Sequence, residues 1–321
     1  MSSATPLSYL NAAGERAGAI LPLTWFTLVV SILVCVIVAV LLWHGIRRAG
    51  VRGGAAATQS VAVEEGARGT SWIGVGVAIS AVPLFITLVW TMVTLAATGG
   101  PPARPGLVLE VTGHQWWWEV RYDAAEPDQI FSTANEIHIP IKTRVLVKLH
   151  GADVIHSFWV PKLTGKTDTI PGQTNLAWLE AQAPGRYFGQ CTEYCGVQHA
   201  HMALEVVAQP QADFERWRAQ QLQPAAPPRT DSQRRGLQLV EYRCGLCHEV
   251  RGTGAASVAG PDLTHLESRR TIAAGVLPNS PGALSGWIED AQGIKPGNLM
   301  PDQGLSAAQL GDVVAYLESL Q

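Results

Sequence analysis

Charge is scarce in this sequence. Only 15% of its 321 residues are Asp, Glu, Lys or Arg, against about 25% in ordinary soluble proteins, so part of the chain is expected to sit in lipid. The net charge of −3 gives a polyanion nothing to bind and excludes a nucleic-acid partner. Sulfur is scarcer still, with five cysteines and four methionines; where several fall close together, the crowding needs a chemical reason. No basic segment precedes the first apolar run, which argues against a cleaved signal peptide. Between the second apolar run and Val207 nothing has the period of a long amphipathic helix, so that region is expected to form strands.

What is present begins with two runs free of formal charge, AILPLTWFTLVVSILVCVIVAVLLW over 19–43 and SWIGVGVAISAVPLFITLVWTMVTLAAT over 71–98. Each is long enough to cross a hydrocarbon core of ~30 Å as a helix, and longer than buried core helices usually are. Pro83 would kink the second, which a membrane helix tolerates. The connection carries Arg47, Arg48, Arg52 and Arg68, and the positive-inside rule puts it in the cytoplasm, with both termini outside. Residues 1–104 are therefore expected to be an N-terminal segment and a transmembrane hairpin.

After GGPPARPG (99–106) the period changes. Leu107, Leu109 and Val111 alternate, as do Ile137, Ile139 and Ile141, and Val145, Val147 and Leu149, which is the pattern of strands with one buried face. An antiparallel β-sandwich or barrel is expected over 105–208. PQADFERWRAQQ predicts a short helix and QPAAPPRTD an extended linker, so 209–231 reads as a connector. The unit over 232–321 is helical and closes with SAAQLGDVVAYLESL, where Ser306 and Gln309 have capping-box spacing and Leu310, Val313, Leu317 and Leu320 share a face.

This last unit contains CGLCH at 244–248, the attachment pattern for c-type haem: Cys244 and Cys247 bind the vinyl groups and His248 reaches the iron. A haem that only transfers electrons needs a second strong axial ligand, and KPGNLMP supplies Met300. With GPDL, the LMP loop and the closing helix, 232–321 resembles a class I cytochrome c. The resemblance implies that the Pro261 carbonyl accepts a hydrogen bond from His248 and that Trp287 packs near a haem propionate.

The densest cluster is CTEYCGVQHAHM, 191–202. A disulfide between Cys191 and Cys195 leaves His199 and Met202 unexplained. A Cys2His2 zinc site is open. A single blue copper needs one thiolate and leaves the second in surplus. Two thiolates bridging two coppers use every ligand if a further histidine arrives, and DVIHSFWVP offers His156.

CxExCGxxHxxM, together with DVIHSFWVP, KTDTIPG and GHQWWW, resembles subunit II of haem-copper cytochrome c oxidases. The fused C-terminal cytochrome is similar to the caa-type enzymes. The resemblance implies a cupredoxin domain holding dinuclear CuA. Cys191 and Cys195 would bridge the coppers, His156 and His199 would each bind one, and Met202 and the Glu193 backbone carbonyl would be weak ligands. The Glu193 side chain would face a magnesium ion at the subunit I interface. Trp116, read as an exposed aromatic, would be the electron-entry point, with Trp118 structural.

As implied by this resemblance, the chain is an electron-transfer subunit of a proton-translocating oxidoreductase in the bacterial cytoplasmic membrane, its CuA and haem c domains on the outer face. Electrons would come from an external cytochrome c or other periplasmic donor and leave for subunit I, where oxygen is reduced; subunit III is a further expected partner, and no catalytic residue lies in this chain. A related nitric-oxide reductase and a membrane-tethered copper carrier are the alternatives, though a carrier needs no haem. One departure is Gly69, three residues before Trp72, where such subunits often carry a glutamate; Glu64 and Glu65 are the nearest acids. Cys35 reads as a lipid-facing or core side chain, His201 as turned away from the metal, and His114, His138 and His150 as structural or exposed. Asp153 and Asp168 are candidates for the water exit region.

Overall fold

The computed structural model describes residues 7–52 and 67–321. The chain divides into two compact units, one of residues 18–100 and one of residues 101–321 with the N-terminal segment up to Ala17. Glu64 and Glu65 lie outside the described residues.

The smaller unit is formed by α1 (Glu15–Arg52) and α2 (Ala67–Thr98). Both are long and apolar enough to cross a membrane, and their large side chains, Leu41, Ile79, Leu84 and Phe85 among them, stand exposed. In water such a surface would be untenable; in lipid it is what the solvent requires. The helices run beyond the charge-free stretches, because polar ends continue the backbone ladder after the chain has left the apolar zone. Pro83 sits inside α2, and Thr87 Oγ1 donates to its carbonyl at 2.7 Å.

In the larger unit, alternation builds two five-stranded sheets. One has the order β3 (Phe131–Ala134), β2 (Trp117–Tyr122), β1 (Leu107–His114), β5 (Val145–Gly151), β8 (Asn175–Leu179). The other has the order β4 (Glu136–Pro140), β10 (Ala203–Gln209), β9 (Gly185–Cys191), β6 (His156–Trp159), β7 (Thr167–Thr169). The sandwich is not wholly antiparallel: β1 pairs with β5, and β4 with β10, in parallel. The intervening chain crosses between the sheets before returning, a connection that local alternation does not report. Leu109, Val111, Trp118, Val120, Ile137, Ile139, Val147, Leu149 and Phe158 fill the space between the sheets and are inaccessible to solvent, each apolar side chain contributing roughly 1.5–3 kcal/mol relative to exposure.

The connector begins with α3 (Gln211–Gln221), which packs Phe214 onto the sandwich and stacks Trp217 on His138 at a ring separation of 4.0 Å. The extended stretch that follows is laid against the helical region, where Ala225 N–H donates to the Arg251 carbonyl at 2.9 Å. Capping boxes start α4 (Asp231–Arg243), through Thr230 and Gln233, and the last helix (Ala307–Leu317), through Ser306 and Gln309. Between them lie α5 (Pro281–Glu289) and α6 (Ala291–Ile294), so the last helix is α7. The region is not purely helical: Thr271–Ile272 and Leu277–Pro278 form a short antiparallel pair. Val240, Leu284, Ile288, Val313, Tyr316, Leu317 and Leu320 make its core.

Candidate metal centres

The first centre is built where β9 ends and β6 begins. Pairing of Phe158 with Cys191 sets the two strands in register, so His156 at the head of β6 meets Cys191 at the end of β9. The loop from Cys191 to Met202 is closed at its base by Cys191 N–H donating to the Met202 carbonyl at 3.0 Å. Inside it Gly196 adopts φ +117, and a Cβ there would fall 2.8 Å from the Trp116 ring, so only glycine fits.

The donors fall into two halves. Cys191 Sγ lies 4.0 Å from His156 Nδ1 and 3.3 Å from the Glu193 carbonyl, while Cys195 Sγ lies 3.5 Å from His199 Nδ1 and 3.9 Å from Met202 Sδ. The two sulfurs are 3.7 Å apart, too far for a disulfide. Among the described residues His156, Cys191 and Cys195 form a compact donor cluster, with His199 joined through the second sulfur alone. This arrangement suits two soft ions sharing a thiolate pair better than one tetrahedral zinc. Cys191, Cys195, His156 and Met202 are all buried.

Electrostatics agree with a cationic occupant. The Cys195 thiol, foremost among several causes, holds Cys191 far below an ordinary thiol value, to about 3, and Cys195 is pushed up in return. Two adjacent thiolates cannot both form without a positive charge between them, and a metal supplies it. Asp153 orients the site: its carboxylate accepts from His156 Nε2 at 2.8 Å, which fixes the tautomer and leaves Nδ1 for the sulfur side. It also accepts from the N–H groups of Gln115 and Val154. Burial raises the Asp153 pKa, but these hydrogen bonds outweigh it and the group stays below its usual value.

Other expected residues stand apart. The Glu193 carboxylate points outward, with Lys166 Nζ 3.4 Å away. His201 turns off to Gln198, Nδ1 to Oε1 at 2.7 Å. His114 stacks on Trp117, His138 pairs with Glu136 at 2.8 Å, and Asp168 faces Lys166 at 3.6 Å. Trp116 requires correction. It is 7% exposed, not open to solvent, and it lies in the turn before β2, so strand alternation does not govern it. Its Nε1–H donates to the Cys195 carbonyl at 2.9 Å, as does Gln115 Nε2 at 2.7 Å.

The second centre is a cleft in the helical region, lined by Cys244, His248, Pro261, Trp287 and Met300 among mainly apolar neighbours. Cys244 opens a 3-10 turn after α4, and His248 N–H donates back to the Cys244 carbonyl at 2.9 Å. His248 Nδ1 donates to the Pro261 carbonyl at 2.7 Å, leaving Nε2 as the acceptor available to iron. Burial lowers the His248 pKa, which keeps the imidazole neutral as ligation needs. Met300 is held by Asn298 Oδ1, which accepts its N–H, and by Gln292 Nε2, which donates to its carbonyl. The lining residues fit a flat apolar group attached at Cys244, with His248 and Met300 available to its metal; Cys247, expected as the second attachment, is exposed and is not among the lining residues.

Sequence reasoning named Asp153 only for the water exit region and not as the partner of His156, although its position three residues earlier carries a signal. Arg269 and Asn135, which also line the cleft, and Lys295, discussed below, carry none, because each acts through a contact made by tertiary packing.

A copper-type donor set on a β-sandwich is thus followed in the chain by a haem-type cleft among helices. Residues 107–209 match the cytochrome c oxidase subunit II periplasmic domain, and residues 233–321 match cytochrome c. Cytochrome c oxidase subunit 2 of Alkalihalophilus pseudofirmus is 40% identical over 215 residues, 66% of this chain and 61% of that one. The subunit 2 of Bacillus subtilis is 30% identical over 233 residues, 69% of this chain and 64% of that one. The crystal structure of the periplasmic domain of subunit II of cytochrome oxidase of Bradyrhizobium japonicum is 31% identical, covers 37% of this chain and 94% of that one, and gives a TM-score of 0.34. The chain spans 61% and 64% of the length of these two curated relatives. It belongs to the cytochrome c oxidase subunit II family and carries a cytochrome c domain after the copper domain.

Proposed function

We propose that this chain is the electron-entry subunit of a terminal oxidase, taking electrons at a covalently bound haem c and passing them through dinuclear copper to subunit I. The observation that carries the reading is the paired donor set, two sulfurs 3.7 Å apart with one histidine beside each, in the same compact unit as the haem cleft. When bound, coppers sharing thiolates and a six-coordinate haem iron exchange single electrons with little change of geometry.

The chain's residues do the holding and tuning. Cys191 and Cys195 would hold both coppers, His156 and His199 would each bind one, and Met202 and the Glu193 carbonyl would be the weak ligands at the two ends. Asp153 keeps His156 in the right tautomer. The outward Glu193 carboxylate takes a magnesium ion shared with subunit I. In the haem domain Cys244 and Cys247 would form the thioethers, His248 and Met300 would ligate the iron, Pro261 would orient His248, and Trp287 would flank a propionate. The copper domain occupies 105–208, the connector 209–231 and the haem domain 232–321. The hairpin of residues 1–104 anchors both on the outer face of the bacterial cytoplasmic membrane, with the end of α1 that bears Arg47 and Arg48 inside. Subunit III and an external cytochrome c or similar donor complete the assembly. Both relatives are cytochrome c oxidase subunits, which favours oxygen over nitric oxide as acceptor, and a copper carrier would have no use for the haem cleft.

Electron-spin resonance of the oxidised chain tests the centre. Hyperfine splitting from two equivalent copper nuclei is expected; splitting from a single nucleus would remove the dinuclear reading.

A further inference from the structure

The seam between the copper and haem domains contains a buried lysine with no salt bridge among the described residues. Lys295 follows α6, five residues before Met300, and is 3% exposed. Its Nζ donates to the Trp116 carbonyl of the copper domain at 2.7 Å and to the Ala273 carbonyl of the haem domain at 3.0 Å. No salt bridge to it occurs among the described residues. Burial brings its ammonium down to about 7, with the charge of Cys195 opposing. Burying such a group is costly, and an apolar side chain would have sealed a passive seam more cheaply.

Both partners of Lys295 adjoin a redox site. Ala273 lines the haem cleft. It and Ala274 take left-handed φ values of 54 and 59, a conformation that non-glycine residues rarely hold without outside support. Here it presents two successive carbonyls to the rest of the unit, that of Ala273 to Lys295 and that of Ala274 to Ala203 N–H of β10 at 3.1 Å. Trp116 is bonded to the Cys195 carbonyl, and its ring is enclosed by a glycine from each domain. Opposite Gly196 stands Gly297, in the Met300 loop, with φ +84; a Cβ there would approach the Trp116 ring at 3.5 Å and Val197 at 3.4 Å. Gln198 Nε2 adds a bond to the Pro296 carbonyl at 2.9 Å.

We propose that Lys295 is a positioning residue for electron transfer between the two domains, clamping the wall of the haem cleft to Trp116 and so completing a bonded line from Ala273 through Lys295 and Trp116 to Cys195. The inference rests on the reading above that electrons pass from haem to copper. One electron leaves ferrous haem, which becomes ferric, and reduces the oxidised copper pair by one; no bond is made or broken and no proton need move. Tunnelling falls steeply with distance and more steeply across unbonded gaps, so a fixed contact at this seam sets the rate. The buried position of Trp116 is then explained: its donor is the haem domain of the same chain.

The test uses the full chain loaded with haem and copper. A flash-generated reductant reduces the haem, and re-oxidation by copper is followed optically in wild type, Lys295→Met, Lys295→Arg and Gln198→Ala. In Lys295→Met the transfer should slow about tenfold or more, the scale on which small misplacements act, and should become dependent on viscosity. Hydrogen exchange over residues 115–118 should quicken in the same variant, while haem and copper spectra stay as in wild type. Lys295→Arg should recover most of the rate, and Gln198→Ala, which loosens the seam outside the bonded line, should change it by less than Lys295→Met. Unchanged transfer and exchange in Lys295→Met would overturn the proposal, and so would equal slowing in Gln198→Ala. Should Lys295→Met fail to fold, Lys295→Gln keeps a donor amide and is predicted to lie between wild type and a variant lacking the indole bond to the Cys195 carbonyl, Trp116→Leu; parity with wild type would count against the clamp. Absence of transfer in wild type would instead remove the functional reading on which the inference stands.

Discussion

The copper and haem sites solve the same problem, holding a redox metal still, by opposite means. In the sandwich five of the six proposed donors lie within 191–202 and the sixth heads a paired strand. The side-chain donors Cys191, Cys195, Met202 and His156 are buried, so the polypeptide closes the site by itself. In the helical domain Cys244 and Met300 stand far apart in sequence and face an apolar cleft. Strands and their ladders prearrange a small site, whereas the helices surround a space that a large cofactor must fill.

The contrast predicts unequal consequences of losing each occupant. The largest effect is expected for Cys244→Ala with Cys247→Ala, which prevents attachment of haem and leaves an apolar cleft without its core. A loss of about 3 kcal/mol would lower the melting midpoint of a domain this size by roughly 12–24 °C. Calorimetry should show that shift in the haem-domain transition alone. Equal shifts in both transitions would break the comparison.

Next in size is Asp153→Asn. The amide still contacts His156 but no longer enforces its tautomer, and copper affinity should fall roughly 10–100-fold, measured by competition with a chelator. The sandwich should melt within a few degrees of wild type. Smaller again is Ser306→Ala, which removes the cap of α7 and costs about 1 kcal/mol, or roughly 4–8 °C in the haem-domain midpoint.

A pH series sharpens the boundary between the two regions. Burial raises the Glu136 pKa, but the hydrogen bond and charge of His138 and the charge of Arg186 outweigh it, and the Arg270 N–H also contributes, leaving it below the ordinary value. A carboxylate lowered on folding contributes stability above its unfolded pKa and loses it as pH falls through the folded one. Glu136→Gln should therefore flatten the loss of stability below about pH 4.3, the unfolded carboxylate value, monitored by denaturant midpoints. At the small end, His201→Ala should leave the copper content unchanged, since His201 is engaged with Gln198.

The two regions also differed in how far they could be read. Alternation placed Leu109, Val111, Val147 and Leu149 inward, and the capping pattern at Ser306 and Gln309 located the start of α7, because these are local rules. CGLCH pointed to haem attachment through its spacing, whereas CTEYCGVQHAHM alone left zinc, one copper and two coppers open, and only the resemblance to oxidase subunit II implied the dinuclear set. The parallel pairings of β1 with β5 and β4 with β10 were not legible, since strand order is decided by connections that cross the sandwich. Trp116 was misjudged as exposed for a related reason: the residues against its ring, Gly196 and Gly297, are remote from it in sequence. The clamp itself is a contact between domains, and no single segment encodes it.

At the centre of the account is the claim that haem cleft and copper site are two stations fixed within one unit. Oxidised chain carrying both groups would be mixed with less than one reducing equivalent, and the redistribution between haem and copper followed at several protein concentrations. The account predicts a single rate that does not change with concentration, because the electron stays within the chain. A rate rising in proportion to concentration would mean that electrons pass between molecules, and would contradict it.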